Sequence, residues 1–105
     1  YLDSNGVTIS ILTCLLDAMD GQTGVGYRLR GMATHPDWQG KGVGAMLVRA
    51  AIARLTDELG ADYLWCHARK VAYGFYASLG FDFRSPEFEL PGIGPHRVLY
   101  LNLWA

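Results

Sequence analysis

Gln39-Gly40-Lys41-Gly42-Val43-Gly44 decides how the rest of the chain is read. Glycines at alternate positions strip the Cβ atoms from one short loop, so its amides can turn inward and approach a ligand closely. A strand-like run ends just before it, near His35-Pro36, and a helical pattern follows from Val43 to Leu59. The start of that helix aims its unsatisfied N–H groups and the positive end of its dipole at the same spot. Together these features form a site for a phosphate or pyrophosphate. The plain alternative is a glycine-rich turn that binds nothing.

On the N-terminal side, Asp3-Ser4-Asn5-Gly6 has the composition of a hairpin turn. Tyr1-Leu2 would be the stub of an earlier partner strand. Val7 to Met19 reads as a strand whose two faces are both largely apolar, which predicts an interior position. Asp20 to Gly24 is a second turn, and Val25 to Thr34 a second strand, antiparallel to the first. Gly31, inside that strand, predicts a bulge, which leaves the facing of Arg28 open.

On the C-terminal side, apolar residues at 44, 47, 48, 51, 52, 55 and 59 (counting the glycine) make a stripe of helical period. Gly60 stops the helix, and a third strand runs from Tyr63 to His67. Strand, helix and strand over this span predict a right-handed crossover with parallel strands. A shorter helix is expected from Lys70 to Leu79, burying Val71, Ala72, Phe75, Tyr76 and Leu79. Phe81 to Arg84 is a further strand, Ser85 to Pro95 a loop with a little strand around Phe88, and His96 to Trp104 the closing strand. The fold class is therefore α/β (α+β): a mixed sheet with an antiparallel N-terminal hairpin, a central strand-helix-strand crossover and a C-terminal hairpin.

At 105 residues, half of them hydrophobic, the chain is one domain with a modest core. A net charge of -1 gives no electrostatic case for nucleic acid or an anionic membrane as partner. Cys14 and Cys66 lie in apolar runs and read as reduced, buried thiols of a cytoplasmic protein. Neither a secretory leader nor a bilayer-spanning run is visible. His35, His67, His96, Cys14 and Cys66 lack any metal-ligand spacing, so no metal is expected.

A nucleotide P-loop requires Gly-Lys followed by Ser or Thr, and Gly42 stands there instead. Gly40-x-Gly42-x-x-Ala45 fits the dinucleotide fingerprint literally, with Asp62 at a suggestive distance. That fingerprint follows directly on a buried strand, however, whereas Asp37-Trp38-Gln39 intervene here, and Asp62 begins its strand rather than ending it. The run from Met32 to Gly44 resembles instead the pyrophosphate loop of the GCN5-related N-acetyltransferases, with Gln39, Gly42 and Gly44 at the family's positions. Independently, Ala68 to Phe81 is similar to the family helix that ends in Phe-Tyr-x-x-Leu-Gly-Phe. Trp65 to Arg69 and Gly92 to His96 resemble two runs of a bacterial subgroup. The likeness spans the chain but omits the strand and two helices that normally open the fold and wall the acceptor pocket. Residues 1–105 are thus read as a single acetyl-CoA-binding domain; N-terminal truncation is one explanation for the missing elements, since the first residue is Tyr1.

The resemblance implies an N-acetyltransferase that moves an acetyl group from acetyl-CoA, its co-substrate, to a small-molecule or peptide amine. The alternative is a CoA-binding module or sensor without transferase activity. Backbone amides of Gln39, Gly40, Lys41, Gly42, Val43 and Gly44 would hold the pyrophosphate, and Met32, Ala33 and Thr34 would pair with the pantetheine arm. Arg69, Tyr73 and Tyr76 complete the expected cofactor contacts. Tyr76 is assigned as the acid that serves the leaving thiolate, with Tyr73 as fallback. Arg28 and Leu64 occupy the positions where family members carry a basic glutamate, which leaves His67 and His96 as candidate bases. The two-faced apolar first strand further predicts a homodimer.

Overall fold

The computed structural model describes residues 6, 10–19 and 21–103. Of the expected turn at Asp3-Ser4-Asn5-Gly6 only Gly6 is among the described residues, and the Tyr1-Leu2 stub and Trp104 lie outside them. Within them the chain runs β1 (Ser10–Leu16), β2 (Gly26–Thr34), α1 (Val43–Asp57), β3 (Tyr63–Arg69), α2 (Tyr73–Ser78), β4 (Asp82–Phe83), β5 (Phe88–Leu90) and β6 (Gly94–Asn102). The sheet order is β1-β2-β3-β6-β4, with β5 also paired to β6. β2 and β3 are parallel, joined by α1, and the other pairings are antiparallel.

Alternation sorts the sheet into two unlike faces. Leu29, Leu64, Cys66, Ala68 and Leu99 turn toward the helices and form one core with Val48, Leu55, Tyr76 and Phe81. Val48, Leu64 and Leu99 are fully buried, each contributing about 1.5–3 kcal/mol of transfer free energy. The opposite face carries a second cluster of Tyr63, Trp65 and Tyr100, with Met19 and Val98 against it. Register places Arg28, Trp65 and Tyr100 in one row there, and His96 opposite Arg69.

The bulge at Gly31 is present. Ile11 pairs with Ala33 and Thr13 with Arg30, so β2 carries one extra residue across that step, and Gly31 takes φ +66°. The expected interior position of the first strand is corrected: β1 lies at one end of the sheet among the described residues. Only its Leu12 and Cys14 pack on the core, while Ile11, Leu15 and Leu16 are exposed, Leu16 to 71%. Two further expectations change. Leu59 falls past the end of α1 and is half exposed. Lys70–Ala72 forms a 3-10 turn before α2, which rotates Val71 out of the helical phase and leaves it 89% exposed.

Candidate functional site

The ladder between β2 and β3 runs from Gly26–Tyr63 only as far as Arg28–Trp65. Beyond that pair the two parallel strands diverge, while β3 stays zipped to β6 up to Arg69–His96. The bulge at Gly31 bends β2 at this point. A cleft of about 1250 Å³ opens between the strands, and the glycine loop and the start of α1 border it.

The loop is braced at its base. The Gln39 Nε2 amide donates to the Thr34 carbonyl at 3.1 Å, so the glutamine ties the loop to the end of β2. Pro36–Trp38 forms a 3-10 turn, with Trp38 N–H donating to the His35 carbonyl at 2.9 Å and Asp37 N–H to His35 Nδ1 at 3.1 Å. Gly42 then caps α1 at φ +77°, a conformation that a side chain makes costly, and a Cβ there would meet nothing within 4 Å. The first helical bond runs from Met46 N–H to the Gly42 carbonyl at 3.0 Å, so the amides before Met46 point out of the helix end. Gly44 has a different reason for lacking a side chain: its Cβ would stand 2.8 Å from the Met32 methyl and 3.6 Å from the Phe75 ring. α1 therefore lies close against β2 and α2 where the cleft begins.

Met32, Ala33, Thr34, Gln39, Gly40, Gly42, Val43 and Gly44 all line the cleft, as do Arg69, His67, His96 and Tyr76. Lys41 and Tyr73 do not. The Lys41 ammonium sits 5.3 Å above the Trp38 ring. The Tyr73 hydroxyl donates to Glu87 at 3.3 Å, and its ring packs edge-on against Phe83. Leu64 is sealed in the core and Arg28 is a cation, so neither can replace the glutamate expected at those positions.

Tyr76 reaches in from the helix side. It is 8% exposed, and its hydroxyl donates to the Met32 sulfur at 4.0 Å. Burial, reinforced by neighbouring Cys66 and only partly offset by Arg69, pushes this phenol up to about 12. The hydroxyl keeps its proton throughout the neutral range and acts as a hydrogen-bond donor.

The two histidines belong to the other face. His67 Nδ1 is 3.1 Å from an Arg28 Nη2, and His96 Nδ1 is 2.8 Å from the Gly94 carbonyl. Burial, then Arg28, then His96 hold His67 below the ordinary imidazole value, with Asp17 opposing. Arg28 is the residue whose part was least visible from sequence. It stacks over Trp65 at 5.2 Å, lies 3.7 Å from an Asp17 oxygen, and has a buried Nε without a partner in the structure. Its register opposite Trp65 could have been foreseen, because the bulge comes after it.

A family model described as "Acetyltransferase (GNAT) domain" matches residues 5–82. The chain belongs to the GNAT acetyltransferase family. The uncharacterized N-acetyltransferase YitI of Bacillus subtilis (strain 168) is 42% identical over 77 residues, covering 73% of this chain and 51% of YitI. The chain thus spans about half the length of that relative. Among solved structures, the fold is shared with the NatC complex bound to Gag peptide and CoA (TM-score 0.81, 18% identity, 95% of this chain and 64% of that one). It is also shared with an aminoglycoside 6'-N-acetyltransferase complexed with coenzyme A (TM-score 0.79, 12% identity, 100% and 71%). A third is the spermidine N-acetyltransferase SpeG F149A mutant from Vibrio cholerae (TM-score 0.78, 13% identity, 98% and 63%).

The GNAT co-substrate fits what the residues offer. A diphosphate needs outward-pointing amides and space at a helix start, and Gly40 and Gly42 leave both, with nothing within 4 Å of either Cβ position. A pantetheine chain needs an open backbone edge, and the parting of β2 from β3 supplies one. Among the described residues, no group of three or more His, Cys, Asp or Glu could hold a metal ion, and no helix is long and apolar enough to cross a membrane.

Proposed function

We propose that the protein transfers an acetyl group from acetyl-CoA to an amine by direct attack within a ternary complex. One observation carries this reading: β2 and β3 part beyond Arg28–Trp65, with the glycine loop at the mouth of the gap and the Tyr76 hydroxyl inside it. The amides from Gln39 to Gly44 hold the diphosphate, and the main chain of Met32 to Thr34 lines up the pantetheine arm. Arg69 borders the same cleft.

The amine nitrogen attacks the thioester carbonyl, forming the C–N bond and sending the π electrons to oxygen. A strand N–H near Met32 faces the developing oxyanion. As the C–S bond breaks, the sulfur takes the electron pair, and the Tyr76 hydroxyl stabilises the thiolate through a charge-assisted hydrogen bond and serves as its proton source. The amine sheds one proton to a base, and solvent restores the phenol. Acetyl-CoA, CoA and NAD, each tested by calorimetry and thermal shift, check the reading. Micromolar binding of the two CoA compounds is expected, and stabilisation by NAD alone would overturn it.

The protein works as a homodimer in the cytoplasm. The exposed Ile11, Leu15 and Leu16 on the end strand β1 support self-association, and the free thiols Cys14 and Cys66 fit a reducing compartment. The acceptor is a small-molecule or peptide amine.

A further inference from the structure

We propose that His96, and not His67, is the base that takes the proton from the attacking amine. This rests on the acetyl-transfer reading and assigns the group that reading leaves open. The hydrogen bonds decide between the two imidazoles. A guanidinium has donors and no acceptor, so His67 Nδ1, 3.1 Å from Arg28 Nη2, must accept through its lone pair and the ring proton sits on Nε2. A carbonyl has lone pairs and no proton, so His96 Nδ1, 2.8 Å from the Gly94 oxygen, must carry a proton, and in the neutral ring Nε2 is then bare. His67 thus has no lone pair to offer, and His96 has one.

Position agrees with this. His96 is 4% exposed yet lines the cleft, opposite Arg69 at the last β3–β6 pair, where β2 has already diverged. It lies on the face turned away from the helices, in the row of Val98 and Tyr100, whereas Tyr76 enters from the helix side with Cys66 and Ala68. Tyr76 and His96 therefore border the cleft from opposite faces of the sheet. Direct transfer can use this arrangement, because the base serves the nitrogen that adds to the carbonyl face and the donor serves the sulfur that leaves along a different bond of the tetrahedral carbon.

The surroundings oppose a charge on His67, which burial and Arg28 hold below the ordinary imidazole value. When His96 Nε2 takes the amine proton, its Nδ1–H stays bonded to the Gly94 oxygen, which steadies the imidazolium, and the Phe88 ring holds it at a centroid distance of 6.1 Å. Protonating His67 would break its bond to Arg28 and set two cations side by side. Among the described residues, the charged and titratable groups on this face are Arg28 and Arg30 from β2, Asp17 beyond Arg28, Tyr63, His67 and Arg69 from β3, Tyr100 from β6, and Asp82 and Arg84 beside Tyr100. β5 presents Phe88.

The test compares His96→Asn and His67→Gln. Asparagine reproduces the Nδ1–H donor toward the Gly94 carbonyl and removes only the Nε2 base. Turnover is followed by thiol release with spermidine, an aminoglycoside and a short peptide with a free N-terminus as probes, and CoA affinity by calorimetry. His96→Asn should keep CoA affinity within about twofold, lower kcat/KM about 10²- to 10⁴-fold, and abolish its acidic limb, while His67→Gln retains that limb. Long-range nitrogen NMR of the parent should show the proton on Nδ1 of His96 and on Nε2 of His67. An unchanged limb in His96→Asn, a limb lost in His67→Gln, or the opposite tautomers would each overturn the assignment. CoA binding without turnover of any amine by the parent would instead sink the transferase reading itself, and the base with it.

Discussion

Replacing Gly42 by aspartate separates the backbone's part in the site from its charge. The residue sits at φ +77°, where an L side chain costs about 1–2 kcal/mol and aspartate falls toward the low end. A Cβ at this position meets nothing within 4 Å, so the branch itself adds no packing penalty. At about 4–8 °C per kcal/mol for a domain of this size, the melting point should drop by roughly 4–15 °C. The loss in binding should be larger than that cost. A carboxylate at the start of α1 opposes the diphosphate where the helix end would attract it. Unit charges 4 Å apart repel by about 4 kcal/mol at an effective dielectric of about 20. Even half of that, about 2 kcal/mol, weakens CoA roughly 30-fold. Gly42→Ala carries similar backbone strain without the charge and serves as the reference. Calorimetry with CoA and with pantetheine, which lacks the diphosphate, reads the difference. CoA affinity should fall far more in Gly42→Asp than in Gly42→Ala, while pantetheine binds all three proteins alike. If Gly42→Asp bound CoA as the parent does, or lost pantetheine equally, the diphosphate would not lie at this loop.

Tyr76→Phe removes one hydrogen bond to a thiolate, worth about 1.5–3 kcal/mol, so kcat should fall about 10- to 150-fold with little change in acetyl-CoA affinity; equal losses in both would make Tyr76 a packing residue only. His67 is held below its ordinary value, so the unfolded chain takes up its proton first as pH falls through about 6.5. His67 therefore carries no penalty well above that pH, and it destabilises the fold increasingly below it until the folded state also protonates. Denaturant midpoints between about pH 8 and pH 5 should show a slope that His67→Gln flattens, and an identical slope in both proteins would contradict the cause assigned to the shift. Sedimentation equilibrium should give a dimer at micromolar concentration that Leu16→Lys on the exposed strand weakens, whereas a monomeric parent would defeat the self-association proposal.

Much of this fold could be read from residues whose constraint is local. Gly31 has no side chain to give a strand, and its bulge follows from that. The stripe on α1 is periodic, and it fails only at Leu59, where the helix has already ended. Apolarity and burial part company at two places. Val71 fits a helical phase that the 3-10 turn interrupts, and Ile11, Leu15 and Leu16 fit an interior strand that proves to be an end strand among the described residues. Neither outcome is written in those residues, because each depends on where a neighbouring element starts or stops.

The two halves of the candidate site differ in the same way. Binding a diphosphate through backbone amides demands glycine at particular positions, and such a demand leaves a trace in the sequence. A base leaves no such trace, because a histidine's role depends on what its other nitrogen touches. His67 is claimed by Arg28, 39 residues away in the chain, and His96 is oriented by a carbonyl two residues back. The same pair of hydrogen bonds accounts for an arginine standing where a carboxylate was expected. Arg28 supplies no base, but it removes His67 from contention and leaves the one bare imidazole nitrogen of the pair to His96, at the end of the cleft where β6 pairs with Arg69. A Glu at position 28 would change His67 alone. It would accept from His67 Nδ1–H and leave a lone pair on that ring's Nε2, while His96 keeps its bond to the Gly94 carbonyl, so Arg28→Glu should make the acidic limb of kcat/KM depend on His67 as well as on His96.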